Sequence, residues 1–402
     1  MEEKLINKSS TKSAILLFTA TYFISYITRN SYNVMITEMV YQTNISEASL
    51  SLAVTGSFIP YGFGQIISGY FGDRFQPKNL VFFGLVITVL MNGFIPLCKT
   101  STQFLVVWCI NGLAQSFLWP PIVRLMTYQF SGEVYQKATV SVIWGGSFGN
   151  VILYLIAPVL ISFFGWRSMF WVTAISGIIM AVFWKKYCPI LPKQIKATNA
   201  KKNKNLFKMP LLWFIILAII LQGFLRDGVT TWMPVYISQT YNLESTISIL
   251  TGVVLPLFHL VCIQIAGMLH RRFFRNLMTC AGVLFGMGAF FSLILSVFPA
   301  KNVAVSVILS SLLTGCMHGV NLMLICLLPS YFKKCGNVSF LSGILNACVY
   351  IGSAISAYGI AATAEHSGWQ TVISCWTAVA AAGMLICLIC ISKWKRLQNR
   401  NN

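Results

Sequence analysis

Residues 49–97 read SLSLAVTGSFIPYGFGQIISGYFGDRFQPKNLVFFGLVITVLMNGFIPL. Two apolar runs, 49–71 and 79–97, flank a short polar connection that carries Asp73, Arg74 and Lys78. A membrane helix needs roughly 20 mostly apolar residues, and each run has that length. Neither run alternates as a barrel strand would, and an open sheet cannot satisfy its backbone in lipid. The stretch therefore predicts two membrane helices joined by a tight hydrophilic turn.

The same pattern extends outward in both directions. Further runs lie at 13–37, 102–127, 137–162, 168–187, 210–236, 245–268, 277–298, 303–328, 338–362 and 369–391, making twelve in all. The first is too long for a signal-peptide core, is interrupted by Arg29 and lacks a small-residue cleavage pattern. Composition agrees: 9% of the 402 residues are charged and 56% are hydrophobic. Soluble domains average roughly 25% charged residues. A soluble multi-domain enzyme, a disordered chain and a secreted disulfide scaffold are excluded. The expected fold is an all-α polytopic membrane protein of twelve transmembrane helices.

The net charge of +20 is explained by its distribution. With the N-terminus placed in the cytoplasm, 24 of the 29 Lys and Arg residues fall in cytoplasmic segments and 3 outside. This bias sets the orientation, with both termini cytoplasmic, and no nucleic-acid partner is needed to account for it. The segment 188–209 is rich in Lys and Asn and reads as a solvated cytoplasmic linker. It separates an N-terminal six-helix half, 1–187, from a C-terminal six-helix half, 210–402.

The two halves overlay at an offset of 197, which places Arg29 on Arg226, Arg74 on Arg271, and Lys78-Asn79-Leu80 on Arg275-Asn276-Leu277. Gly165-Trp166 recurs as Gly368-Trp369 at an offset of 203. Six spans is an even number, so both halves insert the same way, as in parallel-repeat transporters with a site near the bilayer midplane.

The two remaining cations, Arg29 and Arg226, lie inside spans. Each is about 16 residues in, or roughly 24 Å from the cytoplasmic start. A charge at that depth costs roughly 2.5–3.5 kcal/mol on insertion scales, so it is a functional candidate. Arginine does not deprotonate, and its planar fork suits bidentate binding of phosphate or carboxylate. The pair points to a site for a small dianion. Asp227 follows Arg226 directly; neighbours on a helix point in different directions, so an ion pair is not automatic. Asp227 reads as a balancing partner, a proton-coupling group or a structural cap. Tyr22, Tyr26, Tyr32, Asn150, His318, Asn321, Asn346 and Tyr350 are further candidate pocket groups, each with interhelical hydrogen bonding as the alternative.

Gly69-Tyr-Phe-Gly-Asp73-Arg74-Phe-Gln-Pro77-Lys78-Asn79 resembles the G-x-x-x-D-R-x-x-x-[KR]-[KR] cytoplasmic motif of the major facilitator superfamily. There Asp73 meets a helix N-terminus, and Arg74 and Lys78 latch one conformational state. Tyr26-Ile-Thr-Arg29-Asn30, Trp119-Pro120-Pro121-Ile-Val-Arg124 and Phe224-Leu225-Arg226-Asp227-Gly228…Trp232-Met-Pro234-Val-Tyr236 are similar to signatures of its organophosphate:phosphate antiporters. That resemblance implies that Arg29 and Arg226 grip a phosphoryl group and that Arg124 belongs to the gating machinery. It implies a monomer in the cytoplasmic membrane that moves an organic phosphate or related anion by alternating access, in exchange for inorganic phosphate. The chain departs from the glycerol-phosphate branch at three places: Asn30 and Gln65 stand where it has lysines, and Ser147 or Phe148 where it has a histidine. A proton-coupled symporter of carboxylates or sugar acids is the alternative. A membrane receptor for a phosphorylated metabolite is a third reading, disfavoured by tails of about 12 and 10 residues.

The spacing Cys387-Leu-Ile-Cys390 lies in an apolar run and reads as packing, and Gly282-Val-Leu-Phe-Gly286 as close helix contact. The sequence carries no Walker A loop, metal constellation or catalytic triad. No cofactor, metal or enzymatic activity is expected.

Overall fold

The computed structural model describes residues 8–43, 45–192, 209–241, 254–297 and 302–401. Most of the basic linker, Lys301 and the start of the eighth run lie outside the described residues. Those described are helical, with no strand among them: α1 (Lys8–Thr43), α2 (Glu47–Arg74), α3 (Pro77–Phe94), α4 (Ser101–Ser116), α5 (Trp119–Gln129), α6 (Gly132–Phe164), α7 (Trp166–Tyr187), α8 (Pro210–Tyr241), α9 (Val254–Arg272), α10 (Leu277–Val297), α11 (Val303–Asn321) and α12 (Val338–Asn401).

Among the described residues, nine helical stretches are long and apolar enough to cross a membrane. One of them, Val338–Gln398, contains two of the apolar runs. It breaks at Gly368, where φ is 76° and ψ is 170°. Gly165, between α6 and α7, adopts φ 72° and ψ 173°. The two glycines that match at offset 203 therefore make the same turn, in a region that L residues rarely occupy. Here the internal repeat is visible as backbone geometry.

The run 102–127 is not one uninterrupted helix. It breaks at Phe117–Leu118 and restarts as α5 with Pro120 and Pro121 in its first turn. Prolines donate no N–H, so the ladder lapses before them, while the first turn of a new helix needs no such donors. The run 303–328 also departs from a plain α-helix: after Asn321 it continues as a π-helical segment, Leu322–Leu327.

The chain packs as two compact units. The first holds the residues up to Thr198 together with Gly336–Ile344; the second holds Asn199–Cys335 and Leu345–Asn402. In the first, α1 lies against α6 and α7, α2 against α4, and α3 against α7. Its core gathers Tyr32, Met35, Phe104, Trp108, Trp166 and Phe170, all buried. In the second, α8, α9 and α10 all pack against α11. Large apolar side chains such as Phe58, Ile59, Phe83, Phe163 and Ile178 are exposed, which suits a lipid solvent and not water.

Candidate functional site

Arg29 lies on α1 in the first unit. Its Nη1 donates to the Tyr61 hydroxyl on α2 at 3.0 Å. Its guanidinium carbon lies 4.3 Å from the Tyr26 ring centroid and 5.3 Å from that of Tyr61. Cation–π contact of this kind attracts by about 0.5–2 kcal/mol, depending on desolvation. Tyr26 is held in turn by Tyr22, with ring centroids 5.0 Å apart, and Tyr22 lies 5.1 Å from Trp119 on α5. On the other side, Gly146 of α6 makes room: a Cβ there would fall 2.8 Å from the Tyr26 ring. One residue beyond Arg29, Asn30 Nδ2 donates to Asn150 Oδ1 at 2.6 Å. Asn150 is thus engaged by α1, the interhelical alternative for that residue. Tyr32 is also turned away from the arginine: it is fully buried beside Trp108, centroids 5.0 Å apart, and packs with Phe104 and Phe170.

Arg226 lies on α8 in the second unit, in different company. Its Nε and Nη2 donate to Asp227 Oδ1 and Oδ2 at 2.6 and 2.7 Å. Asp227 therefore is an ion-pair partner, and a bidentate one, despite the neighbouring helix positions. The long arginine side chain curls across the turn to reach it. The third nitrogen, Nη1, donates to Asn321 Oδ1 at 3.2 Å. Ser353 of α12 donates its hydroxyl to Asp227 Oδ2 and to the Val349 carbonyl, the latter at 3.0 Å. Asn321 is the last residue of α11 and stands at the start of the π-helical segment, a distortion found often at functional sites. Asn346 and Tyr350 precede Ser353 at i−7 and i−3, so all three share one face of α12. The pair is partly open, with side-chain exposures of 15% for Arg226 and 32% for Asp227.

His318 lies one turn before Asn321, and it is stacked on His259 of α9, with centroids 3.5 Å apart and planes inclined by 24°. Arg226 is near enough to both imidazoles to act on them electrostatically. Tyr61, Ser353 and His259 were not among the sequence candidates. None of the three carries a local signal that marks it in the sequence.

The polar connection between α2 and α3 is organised around Asp73. Its two oxygens accept from the backbone N–H groups of Ser339 and Phe340, at 3.0 and 2.8 Å, in the first turn of α12. A carboxylate there satisfies orphan amides and meets the positive end of the helix dipole. Arg124, buried on α5, stands 3.7 Å from Asp73 and donates to the carbonyls of Gly72 and, at 3.3 Å, Phe75. The sequence motif names Arg74 and Lys78 beside Asp73. Arg74 is exposed, lies 3.4 Å over the Tyr70 ring and donates to the Tyr70 carbonyl at 3.2 Å. Lys78 offers its carbonyl to Trp184 Nε1 at 2.9 Å. Arg124 sits in the second turn of α5, just after the proline pair that begins the helix.

The profile of the Major Facilitator Superfamily matches residues 18–330. The chain belongs to the major facilitator superfamily. Among curated superfamily relatives, it is 24% identical to the "Probable hexose phosphate transport protein" of Chlamydia muridarum, over 93% of this chain and 88% of that protein. It is 26% identical to the "Glycerol-3-phosphate transporter" of Bacillus subtilis, over 79% of this chain and 78% of that one. It is 20% identical to the "Membrane sensor protein UhpC" of Escherichia coli, over 67% and 68%. Among solved structures, the outward-conformation superfamily transporter FucP aligns with a TM-score of 0.76 at 12% identity, covering 98% of this chain and 99% of that one. The proton:xylose symporter XylE aligns at 0.73 and 15%, covering 97% and 96%. The fold is thus that of superfamily transporters, a multi-pass membrane architecture and not that of an enzyme.

Proposed function

We propose that this chain is a secondary transporter of a phosphorylated organic anion, exchanging it for inorganic phosphate by alternating access in the cytoplasmic membrane. Both termini face the cytoplasm, in keeping with the Lys/Arg asymmetry, and the halves 1–187 and 210–402 are joined by the basic linker 188–209. The observation that carries this reading is the Arg226 fork, already aligned in two parallel hydrogen bonds on an oxyanion pair, with Arg29 at the matching place in the first repeat. The names of the curated relatives supply the phosphorylated substrate class.

The chemistry follows from competition. With the site empty, Asp227 holds the Arg226 fork and offsets its charge. A phosphoryl group offers more charge and more acceptor oxygens than a carboxylate, so it draws the fork away from Asp227. Asn321, Asn346, Tyr350 and the imidazole of His318 are left to meet the organic part, and Tyr22 and Tyr26 hold Arg29. Only a loaded carrier frees the fork from Asp227, so the unloaded carrier, held by that ion pair, reorients slowly and exchange results. Asp73, Arg124, Arg74 and Lys78 belong to the gating layer.

The test is counterflow in proteoliposomes preloaded with phosphate. Labelled glycerol-3-phosphate or glucose-6-phosphate enters, and both Arg29→Ala and Arg226→Ala abolish entry. If phosphate loading gives no uptake while an inward proton gradient does, the exchange reading fails and the proton-coupled carboxylate symporter takes its place. A second reading has its own support: the sensor among the relatives points to a receptor that binds a phosphorylated metabolite without moving it. Ligand-induced thermal stabilisation with no counterflow at all selects that reading.

A further inference from the structure

The outer face of the first unit carries a groove of about 580 Å³ between α3 and α7. Its walls are two facing stripes. From α3 come Phe82, Val86 and Leu90, each four residues from the last and so on one helix face. From α7 come Ile178 and Val182, and then Lys185 and Lys186 at the helix end. The spacing from 82 to 90 makes the groove about 12 Å long, running parallel to the helix axes. Its floor is tight: a Cβ on Gly177 would fall 2.5 Å from the Val89 side chain. Leu90, Ile178 and Val182 are exposed, so the groove opens where lipid lies. Both lysines are exposed at its mouth, and Lys185 Nζ stands 5.1 Å from the Phe82 ring.

We propose that this groove binds an anionic glycerophospholipid of the surrounding bilayer, one acyl chain lying between α3 and α7 and the phosphate resting on Lys185 and Lys186. The apolar walls have no use for a soluble metabolite, and the paired cations have none for a hydrocarbon alone. A diacyl lipid with a negative headgroup matches both. Tyr187 follows the lysines and is exposed, as an amphipathic ring is at headgroup depth. The lysine stems cover the apolar rim while their ammonium groups reach the phosphate plane. Basic clefts between membrane helices at the cytoplasmic leaflet bind anionic headgroups in this way. A zwitterionic headgroup brings its own cation and gains less.

Native mass spectrometry of the detergent-purified chain, titrated with dioleoyl phosphatidylglycerol or dioleoyl phosphatidylcholine, tests the assignment. Phosphatidylglycerol binds the wild type more tightly. The Lys185→Gln/Lys186→Gln pair weakens it about thirty-fold, taking about 1 kcal/mol for each lysine. Val182→Trp fills the groove and weakens it without altering charge; it carries the test alone if the double variant fails to fold, which melting in detergent reveals. Equal binding of the two lipids overturns the proposal. So does wild-type affinity in the groove variants, or an equal loss in Lys395→Gln/Arg396→Gln, which removes charge elsewhere. None of these readouts involves transport, so they stand apart from the exchange test.

Discussion

Arg29 and Arg226 occupy matching places in the two repeats, yet their surroundings differ in kind. Arg29 is wrapped by the rings of Tyr26 and Tyr61. Arg226 is clamped by a carboxylate, an amide and, through Asp227, a serine hydroxyl. The two positions match in sequence at an offset of 197, while the means of holding the charge differ. Rings attract a cation through their faces, and the Tyr61 hydroxyl also accepts a hydrogen bond from the Arg29 fork. A bidentate carboxylate satisfies the fork and must be exchanged for the ligand. The two arginines are thus held by different chemistry, aromatic faces and a hydroxyl for the first and an ion pair for the second.

The largest expected effect breaks the comparison outright. Arg29→Ala and Arg226→Ala each lower counterflow more than a hundredfold, and the lysine variants recover little, because a point charge cannot replace a planar fork. The two alanine variants differ in thermal stability. Arg226→Ala strands Asp227 and lowers the melting temperature more than Arg29→Ala, and Arg226→Ala/Asp227→Ala recovers part of the loss in a double-mutant cycle. Equal melting of the two single variants would falsify the asymmetry.

Next in size is Asp227→Asn. Removing the competing charge while keeping the shape raises apparent phosphate affinity about fivefold, about 1 kcal/mol, with exchange retained. Loss of exchange in this variant shows instead that Asp227 moves a proton. Smaller again is Tyr61→Phe, which keeps the ring and removes the hydroxyl on Arg29. Hydrogen bonds to charged groups contribute about 1.5–3 kcal/mol, but the ring and Tyr26 remain, so the half-saturating substrate concentration rises about threefold to tenfold. A result like that of Arg29→Ala would mean the ring contacts contribute little. The smallest is Ser353→Ala. It loosens Asp227 and shifts phosphate affinity the same way as Asp227→Asn, by about twofold, on the scale of an ordinary hydrogen bond. A shift in the opposite direction would show that Ser353 serves the substrate directly.

The membrane-helix fold and the two arginines could be read from the chain because both follow from properties local to the sequence. An apolar run of the right length has one structural solution in lipid, and depth along a helix follows from counting residues. What counting cannot supply is azimuth. Tyr26 and Tyr32 are six residues apart on α1; one faces Arg29 and the other the Trp108 core. The difference is decided by α4, α6 and α7, not by α1. Ser353, Asn321 and His259 reach the Arg226 neighbourhood from α12, α11 and α9, so their roles depend on packing between separate helices. The π-helical segment after Asn321 has no proline or glycine to announce it. That Arg124 reaches Asp73 shows only once α5 is packed against α2.

The contact between Gly146 and the Tyr26 ring has a mechanical consequence. α1 meets α6 at three successive glycines, with Thr19 and Phe23 carbonyls against Gly145 and Gly149 and the Tyr26 ring against Gly146. The Asn30–Asn150 hydrogen bond pins the same pair one turn further on. Two helices so closely seated cannot slide or roll independently, so Arg29 rides on α6 as much as on its own helix. A single added methyl at position 146 pushes on the ring, and the ring pushes on the guanidinium. The address of the charge is set here by the lack of one methyl group on a neighbouring helix.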